Sequence, residues 1–154
     1  MRPRNQIVQD AFRAAGVEAE IRLLDEHART APLAAEQLGC PVGAIANSLV
    51  FMADEEPLLV MASGAARVDT DVIAAAVGAA AVAKASADQV RAATGQVIGG
   101  VAPAGHPAPL RTLVDEDLRA FDEIWAAGGT PDSIVPLTFA DLLRVTGGEV
   151  VRVR

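Results

Sequence analysis

Ile45-Ala46-Asn47-Ser48-Leu49-Val50-Phe51-Met52-Ala53 is followed by Asp54-Glu55-Glu56-Pro57 and then by Leu58-Leu59-Val60-Met61-Ala62. Two apolar runs of strand length flank a short polar insert, a pattern that predicts a β-hairpin. Parallel neighbours need a long crossover connection, so a hairpin here rules out a purely parallel sheet.

Working outward, Ile7, Val8, Ala11, Phe12 and Ala15 recur at helical spacing and stop at Gly16, which suits a C-terminal cap. Ala19 to Leu24 alternates as a strand does, and Thr30 can cap a short helix with Pro32 in its first turn that ends near Gly39. Downstream, Asp69 to Val77 reads as a helix closed by Gly78. Ser86-Ala87-Asp88-Gln89 has capping-box spacing for another helix that ends at Gly95. Strand-like pieces follow at Gln96 to Ile98, Leu110 to Val114, Glu123 to Ala126 and Ile134 to Leu137. A helix capped by Thr138 and a closing strand at Glu149 to Val153 complete the pattern. The expected fold is mixed α/β of the α+β kind: one domain over residues 1–154, with a curled mixed β-sheet surrounded by helices. Neither an interdomain linker nor an internal repeat is visible.

Composition narrows the function classes. The chain has 154 residues, 51% of them hydrophobic and 21% charged, which suits a chain with a buried core and argues against disorder. Cys40 is the single cysteine, and with His27 and His106 it forms no recognisable zinc spacing, so neither a disulfide framework nor a metal or other cofactor is expected. The segment after Met1-Arg2-Pro3-Arg4-Asn5 is mixed and polar, unlike a secretory signal, and the longest apolar stretch, Val72 to Ala83, falls short of the roughly 20 residues of a membrane span. The expectation is a soluble cytoplasmic protein without a membrane partner. A net charge of −7 works against non-specific binding to phosphate backbones, so a nucleic acid must be met locally. Arg2, Arg4, Arg13, Arg22 and Arg29 lie among Asp10, Glu18, Glu20, Asp25 and Glu26, a pattern that reads as a solvated mixed-charge surface.

The chemistry concentrates in Gly99-Gly100-Val101-Ala102-Pro103-Ala104-Gly105-His106. Glycine removes the Cβ that keeps a ligand from the backbone and allows φ > 0, while Pro103 limits the loop's freedom beforehand. A tight turn with an incidental histidine is the alternative.

Three segments, with the tail, carry a resemblance. The first pairs Thr30-Ala31-Pro32-Leu33-Ala34-Ala35-Glu36-Gln37-Leu38-Gly39 with Ile45 to Phe51. The second is Ser63-Gly64-Ala65-Ala66-Arg67-Val68-Asp69. The third runs from Thr94-Gly95 through Gly99 to Gly105, and the tail is Trp125-Ala126-Ala127-Gly128-Gly129-Thr130-Pro131. In this order they resemble the YbaK/EbsC family, which includes the editing domain inserted in bacterial prolyl-tRNA synthetases and its free-standing relatives. The resemblance implies a metal-free aminoacyl-tRNA deacylase that cleaves the ester of a wrongly charged small amino acid. Its partner would be the 3′ aminoacyl end of tRNA, with a synthetase or an elongation factor as a further candidate.

Such hydrolysis passes through a tetrahedral oxyanion, which backbone N–H groups can stabilise. The resemblance places the element Gly99 to Pro103 at the pocket for the aminoacyl group and terminal adenosine. Gly99 and Gly100 are therefore candidate catalytic positions, and Val101, Pro103 and Gly105 candidate substrate-binding ones. Ser63-Gly64 either faces the pocket or makes a turn, as does Gly128-Gly129. His106 is a candidate general base or a hydrogen-bond partner of the loop or a ligand phosphate. One departure stands out: a functional lysine of the family falls at Asn47, which carries no charge. Asn47 retains an amide donor that can orient a carbonyl, so it remains a catalytic candidate. The same substitution also suits a catalytically impaired module that binds tRNA or an aminoacyl nucleotide. Lys84, the only lysine, reads as a distant surface residue, Cys40 as a small apolar one, and Trp125 as a core or rim residue.

Overall fold

The computed structural model describes residues 2–25 and 30–154, so what the sequence suggests for Glu26, His27 and Arg29 lies outside the described residues. Helix α1 (Pro3–Ala14) opens on proline, whose missing N–H has no partner at that position anyway. It buries Val8 and Phe12 one turn apart, whereas Ile7 stands exposed. Strand β1 (Arg22–Leu23) is shorter than the expected Ala19 to Leu24. The cause is the Gln9 side chain, which donates to the Ala19 carbonyl at 2.8 Å and accepts the Ile21 amide at 3.1 Å, engaging groups a ladder would use.

Helix α2 (Ala31–Leu38) starts at Thr30, whose hydroxyl accepts from the Leu33 amide, and ends at Gly39 with φ 68°. The hairpin forms as expected from β2 (Ala46–Ala53) and β3 (Glu56–Ser63), with Ala46 opposite Ser63 and Ala53 opposite Glu56. Its two-residue turn sets Asp54 and Glu55 at φ 48° and 73°, unusual for non-glycine residues. The Asp54 carboxylate accepts the amides of Ala80 and Ala81, both at 2.9 Å, which ties this turn to a neighbouring loop and holds the carboxyl below its ordinary range.

Helix α4 (Ala87–Thr94) has the expected cap at Ser86, while helix α3 (Thr70–Val77) starts one residue later than expected, with Asp69 outside it as the cap. Between them runs an unanticipated strand, β4 (Val82–Lys84). The expected strand at Gln96 to Ile98 does not form. The Gly100 amide donates to the Val97 carbonyl at 2.9 Å, closing a turn there. Strands β5 (Thr112–Asp115), β6 (Ile124–Ala126) and β7 (Ser133–Leu137) precede helix α5 (Phe139–Thr146), capped by Thr138, and strand β8 (Glu149–Val151).

The strands form two sheets. A five-stranded sheet has the order β4-β2-β3-β5-β8, antiparallel on the β4-β2-β3 side and parallel through β5 and β8. Its mixed character matches the hairpin expectation. A three-stranded antiparallel sheet, β1-β7-β6, meets it through a parallel bridge between Ile45 and Trp125. The main core gathers Val8, Phe12, Leu59, Met61, Val114 and Leu142 with one face of the small sheet. A second core packs Phe51, Leu58, Val60 and Leu113 against Ile73 of α3. Among the described residues no helix is long and apolar enough to cross a membrane.

Candidate functional site

Alternation along β6 and β7 gives the small sheet two different faces. Ile124, Ala126, Val135 and Leu137 enter the main core, while Trp125 and Ile134 face the opposite way, toward Ala31, Ala34, Ala35 and Ile45. That second face is one wall of a cavity of about 400 Å³. Thr30, Ala31, Pro32 and Ala34 at the start of α2 form another wall, and Ala46, Asn47, Ser48 and Leu49 of β2 with Gly64 form a third. Ile98, Gly99 and Val101 of the glycine loop close the remaining side.

Among the described residues, none bordering this cavity is ionisable. Its polar side chains are mostly engaged. The Thr30 hydroxyl caps α2, the Ser133 hydroxyl accepts the Gly128 and Thr130 amides and donates to the Thr130 carbonyl, and Ser48 contacts the Met61 sulfur at 3.3 Å. Asn47, half-buried, has a carboxamide that makes no hydrogen bond to another described residue. Among the described residues it is a donor and acceptor without a partner, on a wall that is otherwise apolar or satisfied.

The loop is held rigidly from behind. Thr94, at the end of α4, donates its hydroxyl to the Val90 carbonyl at 2.7 Å and accepts the Gln96 amide at 3.0 Å. The buried Gln96 side chain accepts the Ala102 amide at 2.8 Å and reaches the Ala104 carbonyl at 3.5 Å. The His106 Nε2 lies 2.9 Å from the Ala102 carbonyl, so this nitrogen carries the proton and donates. Burial lowers the His106 pKa below its ordinary value, with the carbonyl bond opposing in part. The amides of Gly100 and Ala102 are thus used inside the loop, whereas no bond among the described residues engages those of Gly99 and Val101.

The expected site residues divide between several places. Asn47, Gly64, Gly99 and Val101 border the cavity. Gly100 lies behind the loop, where a Cβ would stand 2.7 Å from the Thr130 carbonyl carbon and 2.8 Å from the Pro131 nitrogen. Pro103, Gly105 and His106 border a separate depression beside Ala11 and Thr146. Ser63 turns inward, its hydroxyl donating to the Gly43 carbonyl and its amide to Asp115. Gly128 and Gly129 pack against Ile21 and Val8. Lys84 is exposed on β4, opposite Phe51. Cys40 is half-buried, and burial pushes its thiol pKa up, the opposite of an activated nucleophile. Among the described residues no cluster of His, Cys, Asp or Glu could hold a metal ion.

Two structural contributors carried no local signal. Gln96 acts on an amide six residues on, and Asn5 of α1 reaches across the chain to donate to the Gly128 carbonyl at 2.8 Å and to Thr130 Oγ1 at 3.1 Å.

Residues 25–145 match the model of the aminoacyl-tRNA editing domain. In structure, the chain is similar to a candidate trans-editing enzyme for prolyl tRNA synthetase, with a TM-score of 0.94 and 37% identity over 100% of this chain and 98% of that one. It is also similar to hypothetical protein APE2540, with a TM-score of 0.87 over 96% of this chain and 98% of that one; at 24% identity this likeness concerns the fold alone. In sequence, the chain is 29% identical over 126 residues to the uncharacterized protein YwhH of Bacillus subtilis (strain 168), covering 81% of this chain and 80% of that protein.

Proposed function

The chain belongs to the aminoacyl-tRNA editing domain family, and from that premise we propose that it acts in trans as a hydrolase on mischarged tRNA, releasing a small amino acid from the 3′ ribose. The observation that carries this reading is a cavity that, among the described residues, has no ionisable side chain and is edged by amides of a clamped loop and an Asn47 carboxamide that no described residue engages. A synthetase discriminates poorly against a side chain smaller by one methylene, so errors of this class need a second, hydrolytic site.

Among the described residues the wall offers no acid or base, and its hydroxyls are already engaged, which points to positioning and preorganised hydrogen bonding as the means of catalysis. Water adds to the acyl carbon, the ester C–O bond breaks, and the departing ribose oxygen takes the water's proton. The amides of Gly99 and Val101 are the proposed donors to the tetrahedral oxyanion, for which a dry, fixed donor is most effective. The Asn47 carboxamide orients the ester carbonyl or a ribose hydroxyl. Gly64 lets the wall pack closely, since a Cβ there would stand 2.5 Å from the Val42 carbonyl oxygen, and the loop clamped by Gln96 and His106 keeps the donors in place before substrate arrives. The partner is the 3′ aminoacyl end of tRNA, encountered in the cytoplasm, with a synthetase or an elongation factor delivering it.

A second reading follows from Asn47 itself: a neutral wall suits a module that binds an aminoacyl nucleotide without cleaving it. Purified protein incubated with alanyl-, cysteinyl-, seryl- and threonyl-tRNAs separates the two. The hydrolase reading expects one ester to be cleaved well above the buffer rate, with Asn47→Ala slower by about fivefold, the worth of a neutral hydrogen bond. No cleavage of any ester, together with cleavage by Asn47→Lys, establishes the binding reading instead.

A further inference from the structure

We propose that Arg22 is a substrate-binding residue, holding a backbone phosphate of the tRNA 3′ strand at the mouth of the cavity. This rests on the editing reading for the identity of the ligand, but its geometry is independent. Arg22 pairs with Ile134, and residues directly opposite in an antiparallel pair share a face. Ile134 borders the cavity, and so does Leu24, two residues along the chain from Arg22. Trp125 stands on the same face, because it pairs with Pro136, two residues from Ile134. The Arg22 guanidinium accordingly lies 5.3 Å from the centre of the Trp125 ring, whose indole forms part of the cavity wall.

Three features turn this placement into a binding device. The described cavity wall has no charge of its own, so a polyanionic ligand must find its cation at the rim. The chain carries a net charge of −7, so a cation that attracts phosphate must act locally. Arg22 is exposed and makes no ion pair among the described residues, leaving its forked donors available, while the indole, within cation–π range of the guanidinium, reduces the freedom lost on binding. An arginine can then grip a phosphate bidentately as the terminal nucleoside enters.

The test uses the intact protein and a tRNA minihelix whose terminal amino acid is attached through an uncleavable amide. Binding is followed by the fluorescence of Trp125, the sole tryptophan, and measured across a salt series. Arg22→Ala is expected to weaken binding about tenfold and to flatten the plot of log affinity against log salt by about 0.7, one single-strand phosphate. Arg22→Lys is expected to keep the wild-type slope and to recover part of the affinity, since it retains the charge but not the stacked fork. In cleavage assays KM rises with kcat within about threefold. An unchanged salt slope in Arg22→Ala with wild-type melting overturns the assignment, and so does a loss of affinity matched by a loss of folded protein. Wild-type protein that cleaves esters while Arg22→Ala binds normally leaves the editing reading standing and ends this one. Wild-type protein that neither binds nor cleaves ends both.

Discussion

The Gln96 side chain accepts the Ala102 amide proton at 2.8 Å, and both residues are buried, so one carboxamide fixes the curvature of the glycine loop. Gln96→Leu keeps the volume but strands that N–H, a loss of about 1–3 kcal/mol for a buried unsatisfied donor. The expected result is a melting temperature lower by about 2–4 °C per kcal/mol, faster hydrogen exchange at Ala102, and a fall in cleavage larger than the unfolded fraction explains. A variant with wild-type exchange at Ala102 refutes the clamp.

Gly99 and Gly100 are adjacent but constrained by different physics. Gly99 has φ 88° with open space around its missing Cβ, whereas a Cβ on Gly100 meets the backbone of Thr130 and Pro131 at 2.7 to 2.8 Å. Gly99→Ala adds only backbone strain, of about 1 kcal/mol, and keeps the amide. Gly100→Ala must force two backbone segments apart, at about 1–3 kcal/mol, and displaces the loop from the Thr130 segment. Paired measurements of kcat/KM and melting are expected to rank Gly100→Ala as the more damaging on both counts, with the larger gap in kcat/KM. Equal losses sink this distinction.

What could be foreseen in this chain follows the range of the interaction concerned. Thr30, Ser86 and Thr138 cap helices through bonds that span three residues, and Gly39, Gly78 and Gly95 end them, so each appears in the sequence as a local pattern. The hairpin is equally local. The apolar Gln96 to Ile98 stretch has the composition of a strand, but bonds from Gln96 to Thr94 and Ala102 convert it into a turn. The cavity is least legible, since it depends on Ile45 meeting Trp125 and on β1 meeting β7, pairings of distant residues. The sequence directs attention to Asn47, Gly64 and Gly99, yet His106, close in sequence to the loop's cavity side, lies at another depression because its ring donates to the Ala102 carbonyl from behind.

That placement of His106 has a consequence for pH. Burial favours the neutral ring, so the folded pKa lies below the 6.5 of the unfolded chain. Well above pH 6.5 both states are neutral and His106 contributes no dependence. As pH falls below that value the unfolded chain takes up the proton first, so stability declines until the folded pKa is passed. His106→Asn is expected to flatten this decline. The difference between wild type and variant across pH 5 to 7 isolates it from the carboxylates. A parallel pair of curves shows that the ring is not buried as a neutral group.

Helix α1 is expected to control the loop wall through Asn5, which is fully buried and accepts the Arg2 amide at 3.2 Å while donating to the Gly128 carbonyl and Thr130 Oγ1. Asn5→Ala removes both donors and leaves the Gly128 carbonyl without its partner, at about 1–3 kcal/mol. Asn5→Asp is nearly identical in shape yet presents a carboxylate to a carbonyl oxygen, and an uncompensated buried charge costs about 3–5 kcal/mol. Asn5→Asp should therefore be the less stable at pH 7, and its deficit should shrink at lower pH as the carboxyl gains a proton and can donate again. Denaturant unfolding of both variants at pH 5 and pH 7 measures this crossing trend. An Asn5→Asp variant as stable as Asn5→Ala at both pH values means that hydrogen-bond polarity at Gly128 does not hold the wall, and that shape alone does.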